Sequence, residues 1–149
     1  MAAPRGISLS QPDAVSRRKA GRAEVALQLD QGFSHDLPYE DRSFDRVLSS
    51  LFFHHLLPHD KQRTLREVVR VLRPTGELHV ADWGRPSGPL MRVLFLSIRL
   101  FDGFANTRQH VEGKLPDLFT EAGLEQVALR REISSVYGTL ALYSARRPG

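Results

Sequence analysis

A chain of 149 residues has room for one domain with a sizeable core. It contains no cysteine, which excludes disulfides, thiolate metal sites and thiol nucleophiles and points to a reducing, cytoplasmic setting; no run of 18 apolar residues exists that would span a membrane as a helix. The net charge of +4 resides in residues 1–22, where Arg5, Arg17, Arg18, Lys19 and Arg22 stand against Asp13; no aromatics interleave with these arginines, so the basic end reads as a solvated terminus and not as a nucleic-acid groove.

In chain order, Ala23 to Leu29 alternates through Val25, Leu27 and Leu29 and predicts a strand, followed by a loop from Asp30 to Tyr39. Phe44 to Leu51 is a short apolar run of strand formers. From Asp60 the apolar positions become Leu65, Val68, Val69 and Leu72, the stripe of a one-faced helix, which Asp60 can cap and Pro74 with Gly76 can stop. Glu77 to Trp83 alternates again, with Leu78 and Val80 on one face. Two strands joined by a helical crossover must lie parallel, so the chain is α/β. Leu90 to Phe101 is apolar nearly all round, broken by Arg92, Ser97 and Arg99, and must be covered. Leu115, Leu118, Phe119 and Ala122 form a second helical stripe, with Pro116 near its start and Gly123 past its end. Val127, Leu129 and Ile133 alternate as a strand, and Tyr137 to Ala145, apolar on both faces, suits an interior one. No linker or repeat divides residues 1–149, so a single domain is expected.

Three separated stretches, LPYEDRSFDRVLSS, REVVRVLRPTG and ELHVADW, carry a resemblance. In this order and spacing they resemble the second half of a class I S-adenosylmethionine-dependent methyltransferase of the type 11-like kind, in which "RVLRPGG" recurs where this chain has Thr75 at the middle position. The resemblance implies a Rossmann-like sheet, mostly parallel with an antiparallel last strand. It implies S-adenosylmethionine as cofactor and a small-molecule methyl acceptor. The family's first strand and glycine-rich loop have no counterpart here, since Gly6, Gly21 and Gly32 never form G-x-G. The chain therefore resembles an amino-terminally truncated methyltransferase, and alone it is expected to bind the cofactor poorly or not at all, on the order of millimolar or beyond, with turnover too slow to detect. A non-catalytic, partner-binding remnant of the same fold is the alternative. Without a first strand, Val47 to Leu51 either presents an unpaired apolar edge that invites self-association or pairs with Arg5 to Leu9.

By resemblance, Ser8 stands at the end of the second strand, where the family places a ribose-binding carboxylate; Phe33, Ser34 and Asp36 lie in the adenine loop. Phe33 serves there either as a stacking face or as core. Ser49, Ser50 and Phe52 follow the central strand, at the sheet edge where open parallel sheets bind ligands. Ser49 and Ser50 address the cofactor; Phe52, Asp82 and Trp83 line the acceptor pocket. Asn106 and Arg108 sit in a polar loop that could meet a polar group of the substrate. His54 and His55 are candidates for a general base, since imidazole exchanges protons near neutrality. Neighbours on an extended chain point to opposite sides and no third ligand stands near, so no metal is expected.

Overall fold

The computed structural model describes residues 28, 30–84, 115–135 and 138–149. Expectations for the strands at Arg5–Leu9 and Val25, the helix Leu90–Phe101, and Ser8, Asn106 and Arg108 lie outside these residues. The described elements are β1 (Phe44–Ser50), a 3-10 turn (Phe53–His55), α1 (Pro58–Val71), β2 (Leu72–Trp83), α2 (Leu115–Glu121), β3 (Glu125–Ser135) and β4 (Gly138–Arg146).

They build one four-stranded sheet in the order β1-β2-β4-β3. β1 and β2 are parallel, joined by α1 as the crossover, while β4 runs antiparallel to both β2 and β3. Trp83 pairs with Leu140 and Leu78 with Ala145, so the last strand is inserted antiparallel as expected and lies in the interior of the sheet. Among the described residues β1 has a hydrogen-bonded neighbour on one side only, and its outward-facing Leu48 is 75% exposed.

α1 begins two residues earlier than its charge pattern implies. Leu57 is extended (ψ 157°) because the residue before a proline avoids the helical region, and Pro58 occupies the first helical position, where a missing N–H costs nothing. No side chain caps this end; Asp60 sits in the first turn. The helix also ends earlier, at Val71, and Leu72 opens β2. Leu65, Val68 and Leu72 are buried as predicted, Val69 is half-buried, and Lys61, Thr64 and Val71 join the buried set. The core gathers Phe53, Leu65, Val68, Leu72, Leu78, Val80, Phe119, Leu124 and Tyr143 between the helices and one face of the sheet. Burying each large apolar side chain contributes about 1.5–3 kcal/mol.

Between the pairs Phe44–Leu72 and Arg46–Glu77 the segment Arg73 to Gly76 loops out of β2. A side chain at Gly76 would stand 2.9 Å from the Arg73 carbonyl oxygen, so only glycine fits. Thr75 lies at φ 64°, a left-handed conformation that a β-branched residue tolerates poorly. The freed carbonyls at the end of α1 are taken by Arg147, whose Nη1 donates to those of Val69 at 2.8 Å, Arg70 and Leu72. α2 ends in a Schellman motif: Leu124 N–H donates to Phe119 O and Gly123 N–H to Thr120 O, with Gly123 at φ 89°. Leu129 and Ile133 on β3, the other outermost of the described strands, are exposed.

Candidate functional site

The carboxyl ends of β1 and β2 open on the same side as the amino end of α1. Leu51, directly after β1, is held at φ 51° while its N–H donates to Ala81 O at 2.8 Å. A branched residue held left-handed marks a sharp change of direction that its surroundings must impose. The chain then drops Phe53 into the core, 6.3 Å from the Phe119 ring in an edge-on contact, and the 3-10 turn that Phe53 anchors presents His54 and His55. The two imidazoles do not point apart, as they would on an extended chain; the turn brings them together with centroids 3.9 Å apart and planes tilted by 42°.

His54 is distinguished from His55 by its partner. Its Nδ1 lies 2.7 Å from Asp82 Oδ1, and its backbone N–H donates to Asp82 Oδ2 at 3.2 Å. Trp83 N–H also donates to Asp82 Oδ1, at 2.8 Å. The Asp82 side chain has no exposed surface. Strand alternation explains this: Leu78, Val80 and Asp82 share the face that α1 covers. A carboxylate only accepts, so Nδ1 must donate, and the neutral ring carries its lone pair on Nε2. His55 is exposed.

Lys61 is the charged residue that the sequence pattern did not flag, and it is 1% exposed. It sits on α1 four residues before Leu65, so continuing the apolar stripe one turn backward finds it. Burial pushes the Lys61 ammonium below the ordinary lysine range, and the charge of Asp82 offsets part of that shift.

The adenine-loop candidates divide by exposure. Phe33 is 71% exposed and stacks on His35 at 5.5 Å; Asp36 is exposed and its N–H donates to Phe33 O, closing a tight turn. Ser34 faces inward, with its hydroxyl 2.8 Å from that of Thr64 on α1. The rest of the loop is clamped. Glu67 accepts from Leu37 N–H at 2.8 Å and from Arg70 at Nε and Nη2; Arg70 also reaches Leu37 O, Tyr39 O and Asp41. Arg70 first, and the Leu37 N–H after it, hold the Glu67 carboxyl below the usual range against the opposing effect of burial. The Tyr39 phenol, which donates to Asp30 at 2.9 Å, is pushed up to about 12 by burial first and by Asp30 second.

Ser49 is half-buried, Ser50 exposed, and Phe52 and Trp83 half-buried. The Asp82 carboxylate, expected in the acceptor wall, has both oxygens engaged by His54 and Trp83. For S-adenosylmethionine the donor set fits in part. Phe33 offers an open ring face, Asp36 a carboxylate for an amino group, and Ser49 with Ser50 hydroxyls at the strand end. Ser34 has committed its hydroxyl. Among the described residues no group of three or more His, Cys, Asp or Glu side chains could hold a metal ion. A groove of about 350 Å³ lies elsewhere, between Gln62 and Arg66 of α1 and Leu118, Glu121 and Ala122 beyond, and no candidate residue lines it. No described helix is long and apolar enough to cross a membrane.

A protein of Escherichia coli K12, YafE, is 30% identical over 118 residues, covering 79% of this chain and 56% of that one. A demethylmenaquinone methyltransferase of Lactobacillus johnsonii is 34% identical over 80 residues, covering 53% and 32%. The chain thus spans about half or less of these relatives' length. The crystal structure of an S-adenosylmethionine-dependent methyltransferase from Methanosarcina mazei superposes with a TM-score of 0.69 at 18% identity, over 97% of this chain and 81% of that one, which shows a shared fold. The model of the methyltransferase domain family matches residues 5–80, just over half of the 149, and with the sheet order above this makes the chain a member of that family, the class I S-adenosylmethionine-dependent methyltransferases.

Proposed function

We propose that the chain takes part in methyl transfer from S-adenosylmethionine to a small, largely apolar molecule, with His54 as the general base. The observation that carries this reading is the 2.7 Å contact between His54 Nδ1 and the fully buried Asp82 at the carboxyl ends of β1 and β2. When bound, S-adenosylmethionine supplies a methyl group on a sulfonium, so positioning and exclusion of water do most of the catalysis. Phe33, Asp36, Ser49 and Ser50 are the residues to hold it. Phe52 and Trp83 present flat apolar surface to the acceptor, which accords with the Lactobacillus johnsonii relative named for demethylmenaquinone. As the acceptor atom bonds to the methyl it loses a proton, which His54 accepts at Nε2; the imidazolium that results is stabilised through Nδ1–H by Asp82.

Transfer of labelled methyl to a panel of hydroxylated and quinol-like acceptors, with cofactor on the order of millimolar, tests this reading. His54→Gln is expected to lower the rate by about 10²–10⁴-fold and His55→Gln by far less. Equal losses in the two variants would overturn it.

A further inference from the structure

The loop that carries Phe33 and Asp36 is fastened to α1 at three successive levels. Thr64, Glu67 and Arg70 follow one another at three-residue intervals, so they line one flank of the helix. Their loop partners come in the same order: Ser34 lies opposite Thr64, the Leu37 N–H opposite Glu67, and the carbonyls of Leu37 and Tyr39 with the Asp41 carboxylate opposite Arg70. Glu67 and Arg70 thus hold the stretch from Leu37 to Asp41, beyond the turn. The turn itself, residues 33–36, is closed by the Asp36 N–H donating to Phe33 O at 3.0 Å, and Ser34 is its one buried residue, 8% exposed against 71% for Phe33. The Ser34 hydroxyl lies 2.8 Å from that of Thr64, which is buried as well.

We infer that Ser34 and Thr64 are positioning residues: their buried hydroxyl pair pins the turn to α1 and so holds the Phe33 ring and the Asp36 carboxylate in the one arrangement in which both meet the cofactor. This rests on the reading of Phe33 and Asp36 as cofactor contacts. Phe33 and His35 flank Ser34 and stack ring on ring at 5.5 Å, so the seat of Ser34 also sets the direction of the Phe33 face. A ligand that needs one loop conformation binds more weakly in proportion to the time the loop spends out of it. The pair is sealed from water, so a broken bond leaves both hydroxyls unpaired until the turn lifts and lets solvent in. A packing role alone does not need the hydroxyls: valine has the branching and shape of threonine and, with alanine at position 34, leaves no polar side-chain atom unpaired.

The test is titration of the 149-residue chain with S-adenosylhomocysteine, followed by amide shifts, in the unaltered protein, in Thr64→Ser, in Thr64→Val and in the double variant Ser34→Ala with Thr64→Val. Thr64→Ser keeps the hydroxyl and is expected to bind as the parent does. Thr64→Val and the double variant should raise the dissociation constant by about 3–10-fold, the worth of one hydrogen bond. In both, the Asp36 amide of the ligand-free chain should exchange with solvent faster than in the parent. The double variant separates positioning from stability: removing both hydroxyls should bring the unfolding midpoint back toward the parent's while the turn stays unpinned, and this variant decides the matter if Thr64→Val alone does not fold. A folded double variant that binds like the parent would overturn the inference and leave the cofactor reading standing. Absence of shifts at Phe33 and Asp36 in the unaltered chain would overturn that reading and the inference with it.

Discussion

The two ends of the β1-α1-β2 unit use their charged groups differently. At the amino ends of the strands, Arg73 grips Asp45 with two contacts of 2.8 and 2.9 Å, Arg70 bridges Glu67 and Asp41, and Arg147 closes the carbonyls at the end of α1. Most of these side chains are half-buried or exposed, and each ties a loop to the helix or a strand to its neighbour. At the carboxyl ends the charges are few and buried: Asp82 and Lys61 are cut off from water and His54 is largely covered. Charge at the surface is cheap and stitches the fold together, whereas buried charge costs several kcal/mol per ion and is retained for what it does chemically.

Substitutions can break this contrast. The largest effect is expected at Asp82: Asp82→Ala removes the buried acceptor of the His54 ring and of the His54 and Trp83 N–H groups and should cost about 3–5 kcal/mol in urea-induced unfolding. A loss under 1 kcal/mol would show that the carboxyl end is not electrostatically tight. Glu67→Gln, at the clamp of the loop, should cost about 1.5–3 kcal/mol near neutral pH, the range for hydrogen bonds to a charged group. Because Arg70 depresses the Glu67 pKa, the contribution of this carboxylate is complete above the unfolded value near ~4.3 and is lost as the pH falls through the lower folded value. Urea midpoints of the variant should therefore fall less steeply below about pH 4 than those of the parent. Thr75→Gly relieves a left-handed threonine and should raise stability by about 0.5–1 kcal/mol; a loss would mean that the threonine methyl, 3.7 Å from where a side chain at Gly149 would begin, packs better than its backbone suits it. The smallest effect is expected at Asp45, which is exposed: Asp45→Ala should cost about 0–1 kcal/mol, and less at high salt.

How much of this could be read from the chain follows the same division. Periodicity placed both strands of the parallel pair, the helix between them and an interior last strand, because Leu65, Val68, Leu72, Leu78 and Val80 repeat at the helical and extended spacings that burial imposes; the antiparallel sense of the last strand came from the family resemblance. The start of α1 was missed by two residues because Asp60 looked like a cap, while Pro58 starts the helix by restricting the backbone on both sides of it. At the site, the sequence put His54, His55 and Asp82 at one edge of the sheet but could not separate the two histidines, since the partner that does so stands 28 residues away on β2. Lys61 escaped notice because a lysine ends an apolar stripe in any reading by hydrophobicity; only its burial shows that the stripe continues through it. Ser34 illustrates the opposite limit: a hydroxyl in a ligand loop looks available until Thr64, 30 residues on, is found opposite it.

The contrast between the two ends is tested most directly by mapping amide shifts of the 149-residue chain as S-adenosylhomocysteine is added to a concentration on the order of millimolar. Perturbations are expected at Phe33, Asp36, Ser49, Ser50, Phe52 and His54, with Arg42, Asp45, Thr75 and Gly76 unmoved. Shifts centred on Asp45 and Thr75, or none at any residue, would contradict the assignment of ligand chemistry to the carboxyl ends of the strands.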